Sequence, residues 1–82
     1  MPTVLRHGAY RFFFYSNEGN PREPPHVHVE RGDGDAKVWI GEEPPRLDPD
    51  SHGFSARELL AILRIVAEHR AMLEARWDEH FR

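Results

Sequence analysis

The C-terminal third of this 82-residue chain constrains its fold most strongly. Residues 56–80 contain no glycine or proline. Ser55, just before this segment, and Glu58, within its first turn, have the spacing of a capping box, in which each side chain satisfies a backbone N–H of the other residue. Apolar side chains then recur at helical spacing on one face: Leu59, Ile62, Leu63, Val66, Leu73, Trp77 and Phe81. We therefore predict a long amphipathic C-terminal helix within residues 54–81, with a possible break near Arg70.

An amphipathic helix needs an apolar surface to cover, and the preceding sequence indicates strands. Four segments have strand composition and are separated by turn-forming residues: Thr3–Arg6, Tyr10–Ser16, His26–Arg31 and Ala36–Ile40. Gly8–Ala9, Asn17–Pro21 and Gly32–Asp35 provide the turns, and Arg46–Leu47 could add a short edge strand. We predict one α+β domain over residues 1–82. An antiparallel meander of three to four strands in residues 1–47 is covered on one face by the helix.

The segment from Glu23 to Glu30, with the sequence EPPHVHVE, indicates where function lies. Strand side chains alternate between faces, so His26, His28 and Glu30 point one way and the intervening valines point the other. We expect the valines beneath the helix and the imidazoles on the face that the helix leaves bare. The candidate binding surface consists of His26, His28, Glu30, Lys37, Trp39 and Arg70. The register of the second strand stays open: either Arg11, Phe13 and Tyr15 or Phe12 and Phe14 share that face.

Composition narrows the classes of function. The chain has no cysteine, no apolar run long enough to cross a membrane and no signal-peptide core, so we expect a cytoplasmic protein. Its formal net charge of −3 argues against a constitutive, high-affinity nucleic-acid binder, although a local patch could still bind RNA. A chain this short buries a thin core, which favours docking onto a partner or a second copy.

Three kinds of chemistry fit the histidines. His26 and His28 could bind a divalent metal, with Glu30 adding an oxygen ligand. The same three residues could instead catalyse proton transfer in RNA cleavage, with Arg11 or Lys37 stabilising negative charge. They could also form only a packed polar face. No cofactor is predicted, and a divalent metal ion is the alternative.

Arg70 is unusual because it projects close to the centre of the apolar helix stripe. A buried guanidinium without a partner is costly, so we expect an ion pair, with anion binding as the alternative. His69 beside it is expected to be a hydrogen-bonded residue at the boundary of the core.

The motifs YRFFFYSNE, EPPHVHVERGD, AKVWI and GFSARELL, read in order, resemble a small bacterial family catalogued as domain of unknown function 4160. The signature maps onto Pro24, Pro25, His26, His28 and Glu30, with His69–Arg70 as a second match. The proline-rich connection at residues 41–49 departs from the family pattern.

The resemblance implies a gene that often lies beside one for a second small protein, an arrangement proposed to form toxin–antitoxin pairs. Our leading hypothesis is a component of such a two-gene module that acts through protein–protein interaction rather than as an enzyme. Its partner would be the neighbouring gene product or a second copy. An RNA-processing enzyme and a metal-binding protein are the alternatives.

Overall fold

The computed structural model describes residues 3–15 and 23–81. Within these residues, five strands precede two helices. The strands are β1 (Thr3–His7), β2 (Tyr10–Phe13), β3 (His26–Arg31), β4 (Gly34–Trp39) and β5 (Arg46–Leu47), and the helices are α1 (Ala56–Glu68) and α2 (Arg70–His80). The prediction of an α+β fold with an antiparallel sheet is therefore confirmed.

The sheet is an up-and-down meander in which every strand pairs antiparallel with its neighbour in the chain, in the order β1-β2-β3-β4-β5. Gly8 and Gly32 adopt left-handed φ angles of 59° and 57° in the two tight turns, a conformation that glycine adopts without a steric penalty. The prediction of three to four strands is too low. Arg46–Leu47 forms the fifth, because Leu47 pairs with Val38 at the edge of β4. The predicted loop at residues 17–21 lies outside the described residues.

The core lies between the sheet and the helices, as the alternation of β3 predicts. Val27 and Val29 are fully buried on the helix side, where Val38 and Ile40 join them. Phe12 pairs with Val29 and Phe13 with His28, which settles the open register of β2. Phe12 therefore belongs to the core, and Phe13 shares the face of the histidines.

The predicted single C-terminal helix is two helices that meet at His69. The backbone of His69 departs from helical geometry, with φ −113° and ψ 13°. Its N–H is shared between the carbonyls of Ile65 and Val66, at 3.2 and 3.1 Å, while its Nδ1 lies 2.8 Å from the same Ile65 oxygen. Competition of side chain and backbone for one carbonyl accounts for the local irregularity. The prediction of a hydrogen-bonded boundary histidine is confirmed.

Within the described part of the chain, no helix is long and apolar enough to cross a membrane.

The capping box forms as the sequence predicts and makes the start of α1 sensitive to acid. The backbone N–H of Ser55 donates to Glu58 Oε1 at 2.9 Å, and the N–H of Glu58 donates to Ser55 Oγ at 3.1 Å. The first of these bonds, with further help from the Ser55 side chain and Arg31, lowers the pKa of Glu58 below its ordinary value of 4.5.

A carboxylate whose pKa is lowered by folding stabilises the folded state above its unfolded pKa. That stabilisation disappears as the pH falls through the folded pKa. We therefore expect the free energy of unfolding, measured by chemical denaturation, to fall more steeply below pH 4.5 in the wild type than in Glu58→Gln. The exposed Glu79→Gln variant, which removes one carboxylate from the helix end, is the control. Parallel pH profiles for wild type and Glu58→Gln would contradict this role.

Candidate functional site

The histidine face is the side of the sheet opposite the helices. Cross-strand pairs set its composition: His26 faces Trp39, His28 faces Lys37, and Glu30 lies opposite Arg11 on β2. The predicted placement of His26, His28, Glu30, Lys37 and Trp39 on one face is confirmed. Arg11, Phe13 and Tyr15 from the other side of β3 complete the histidine face.

His26 is on this face, but it is not exposed as predicted. Its side chain is fully buried, and its ring centroid lies 5.0 Å from that of Trp39 and 4.9 Å from that of Trp77 on α2. Its Nδ1 lies 2.9 Å from the carbonyl oxygen of Pro24. α2 thus reaches the end of the sheet and encloses the imidazole that the sequence placed at the surface.

His28 keeps a narrow contact with solvent and is 9 % exposed. Its ring stacks on Phe13 at 5.6 Å between centroids and meets the rings of Tyr15 and His26 edge-on at 4.5 and 5.2 Å. On its open side it borders a polar cleft of about 160 Å³ that Lys37, Ser51 and three aspartates also line. Of the two imidazoles, His28 is the one that lines a described cavity.

Cationic side chains lie over two aromatic rings of the histidine face, those of Phe13 and Trp39. The Arg11 guanidinium lies 4.4 Å from the centroid of Phe13 and pairs with Glu30 at 2.7 Å. The Lys37 ammonium lies 4.4 Å from the centroid of Trp39. Phe13 is consequently only 1 % exposed. The histidine face is therefore less open than the sequence predicts, because the cationic head groups of Arg11 and Lys37 lie over these two rings.

A second cavity lies beside Trp39 and is lined by the signature prolines. We name it the proline–tryptophan cavity. It measures about 260 Å³, and its lining residues are Pro24, Pro25, Trp39, Gly41, Glu42 and Arg46. The carbonyl of Pro25 accepts the N–H of Ile40 at 3.0 Å, which ties the proline corner to the end of β4. Gly41, Glu42 and Arg46 were not among the site residues predicted from the sequence. The predicted hairpin of β3 and β4 could have indicated them, because it brings the connection after β4 next to the prolines that precede β3.

Trp39 is held in place at the edge of this cavity. Its indole Nε1 donates to Asp48 Oδ2 at 3.1 Å. The backbone N–H of Asp50 binds the same carboxylate and is the main cause of the lowered pKa of Asp48, to which Trp39, Lys37 and Arg46 also contribute. Asp48 is therefore ionised at neutral pH and is a strong acceptor for the indole.

Arg70, which the sequence placed on the binding surface, makes its contacts elsewhere. Its guanidinium lies 3.4 Å from the carbonyl oxygen of Ile40, from Glu74 on the next turn of α2 and from Glu43 in the connection. The expected ion pair is therefore confirmed, and the described polar contacts of Arg70 are with these three residues rather than with the histidine face.

In residues 3–15 and 23–81, no group of three or more histidines, cysteines or carboxylates is arranged to hold a metal ion. His26 and His28, the metal candidates, are neighbours, but one nitrogen of His26 already faces the Pro24 carbonyl.

A family model described as "Domain of unknown function (DUF4160)" matches residues 9–78. This match covers most of the chain, which therefore belongs to that family. No curated protein sequence and no solved structure matches the chain significantly.

The enclosed position of His26 predicts a structural role. His26→Ala would leave a cavity between two tryptophans and lower the free energy of unfolding by about 3 kcal/mol, as large-to-small core substitutions do. The exposed His52→Ala variant should change it by less than about 0.5 kcal/mol. Urea denaturation measures both values. If His26→Ala were as stable as the wild type, the packing described for this ring would be wrong.

Proposed function

We propose that this protein, a member of the DUF4160 family, is one component of a two-gene, toxin–antitoxin-like module and acts by binding a partner protein. The partner would be the small protein that the family resemblance implies beside its gene. The proline–tryptophan cavity is the observation that supports this proposal, because the signature residues Pro24 and Pro25 form part of its wall.

The walls of this cavity are restrained before any partner arrives. Proline has a fixed φ, and the indole of Trp39 is bonded to Asp48. Little conformational entropy would therefore be lost when a side chain enters. Apolar walls with Glu42 and Arg46 among the lining residues match the common anatomy of protein interfaces, in which an apolar centre has a polar rim. We expect the partner to insert an aliphatic or aromatic side chain and to place polar groups near these two charges.

The sheet edges favour docking through a face rather than by strand addition. The pairing of β1 with β2 shifts register between Thr3 and Leu5, as a β-bulge does, and β5 is only two residues long. Bulges and short edge strands both discourage an added strand. This leaves the faces of the sheet and the helices as the surfaces for association.

The RNA-processing alternative is weaker because general acid–base cleavage needs two accessible proton-transfer groups. His26 is enclosed and Glu30 is paired with Arg11 at 2.7 Å, so the alternative rests on His28 at the polar cleft, with Lys37 as the adjacent cation. The metal-binding alternative has no group of three or more candidate ligands within the described ranges to support it.

Co-purification with the neighbouring gene product tests the proposal. We expect a stable complex. Trp39→Ala and Glu42→Arg should each raise the dissociation constant at least about tenfold, as substitutions in the centre of an interface do. Glu79→Arg is the charge-matched control for Glu42→Arg, because Glu79 is exposed at the end of α2 and lies outside this cavity. Circular dichroism confirms that each variant is folded, and titration calorimetry gives the affinities.

Absence of a complex, or equal affinities for the wild type and both cavity variants, would contradict the proposal. Growth of cells that express the chain alone distinguishes the RNA-processing alternative from partner binding. Toxicity that is lost in His28→Ala but retained in Trp39→Ala would favour RNA processing instead.

A further inference from the structure

The side of the helices that faces away from the sheet has an unusual composition. We name it the outer helix face. Its residues are all exposed: Arg57, Leu60, Arg64, Ala67, Glu68, Ala71, Ala75 and Asp78. Leu60 is 67 % exposed and is the large hydrophobic residue that the described structure leaves most open to solvent. Leu60 lies near one end of this face, between Arg57 and Arg64. Single exposed apolar residues are common on protein surfaces, so the charges around Leu60 decide whether the face associates.

The outer helix face continues across the bend at His69. Ile62 and Val66 before the bend and Leu73 and Trp77 after it are buried against the sheet. The opposite sides of α1 and α2 therefore face the same way. From Arg57 to Asp78 the face extends over about 32 Å at 1.5 Å per residue, which is close to the longest dimension of the molecule, 34 Å.

Charge is divided along this face. Arg57 and Arg64 make the N-terminal half of the face, residues 57–67, basic, and within the described residues neither has an ion-pair partner. Glu68 and Asp78 make the other half acidic. A surface that is basic at one end and acidic at the other complements itself when a second copy is turned antiparallel about a twofold axis.

We propose that two copies of this chain associate through their outer helix faces, packed antiparallel. In this register Arg57 of each copy pairs with Asp78 of the other, and Leu60 packs on Ala75. The twofold axis passes between Ala67 and Glu68, so Arg64 lies near Glu68 and Ala71 of the second copy. Alanine side chains allow the two helix backbones to approach closely, while Leu60 fills the space beside them.

The interface is small, so the dimer is weak. Two helix faces of this length bury on the order of 1,000 Å² in total, at the low end of specific interfaces. The paired charges are exposed and are therefore screened by salt. The outer helix face shares no residue with the proline–tryptophan cavity, so this inference does not depend on the proposed function.

Sedimentation equilibrium of the full chain tests the inference. We expect a monomer–dimer equilibrium at submillimolar protein that shifts towards monomer as salt is added. Arg57→Glu and Asp78→Arg should each weaken the dimer about tenfold or more, and the double variant should restore it to within about threefold of the wild type. Arg6→Glu is the matched control, since Arg6 is an exposed arginine on β1 and the change in charge is the same. Leu60→Ser should abolish the dimer with unchanged circular dichroism.

A chain that stays monomeric at low salt and submillimolar concentration would overturn the inference. A dimer that withstands Arg57→Glu and Leu60→Ser, or a double variant that stays dissociated, would overturn the register proposed here. The partner assay distinguishes the two proposals. A monomeric Arg57→Glu variant that binds the neighbouring gene product as the wild type does would separate dimerisation from partner binding.

Discussion

The alternation of side chains along β3 is the constraint on which the rest of this structure depends. Because successive residues point to opposite faces, Val27 and Val29 supply the surface that the helices cover. The same alternation places His26 and His28 against the aromatic rings of the opposite face. A shift of one residue would exchange the two sets and bury a charged face beneath the helices. The paired strands β3 and β4 thus determine the position of both layers.

His26 is buried although it lies on the side of the sheet opposite most of the helix packing. Its ring contacts Trp39 from the sheet and Trp77 from α2, so one imidazole joins the two layers at the end of the strand. The histidines of the family signature consequently differ in role. His26 completes the packing, while His28 borders the polar cleft. The two imidazoles differ because Trp77 of α2 reaches His26, whereas His28 borders the cleft.

The features that could be predicted from sequence are those that local rules determine. The capping box at Ser55 and the inward valines of β3 each depend on a spacing of a few residues, and both are confirmed. The register of β2 could not be predicted, because Phe12, Phe13 and Phe14 give that strand apolar residues on both faces. The burial of His26 could not be predicted either. It depends on the path of α2 after His69, which helix periodicity does not encode.

The sequence predicted which residues share the histidine face, but not how their side chains pack. Sequence alternation correctly grouped five side chains on the histidine face, but it carried no information about Arg11 and Lys37 folding over the rings of Phe13 and Trp39. The proline–tryptophan cavity joins residues more than twenty positions apart, and only the antiparallel pairing of β3 and β4 brings them together.

The guanidinium of Arg70 connects the start of α2 to two other parts of the molecule. It contacts the end of β4 through Ile40 and the connection through Glu43, from the first residue of α2. Glu43 is the chain neighbour of Glu42, which lines the proline–tryptophan cavity. One side chain thus joins the start of α2 by polar contacts to the end of β4 and to the connection that forms part of the cavity wall.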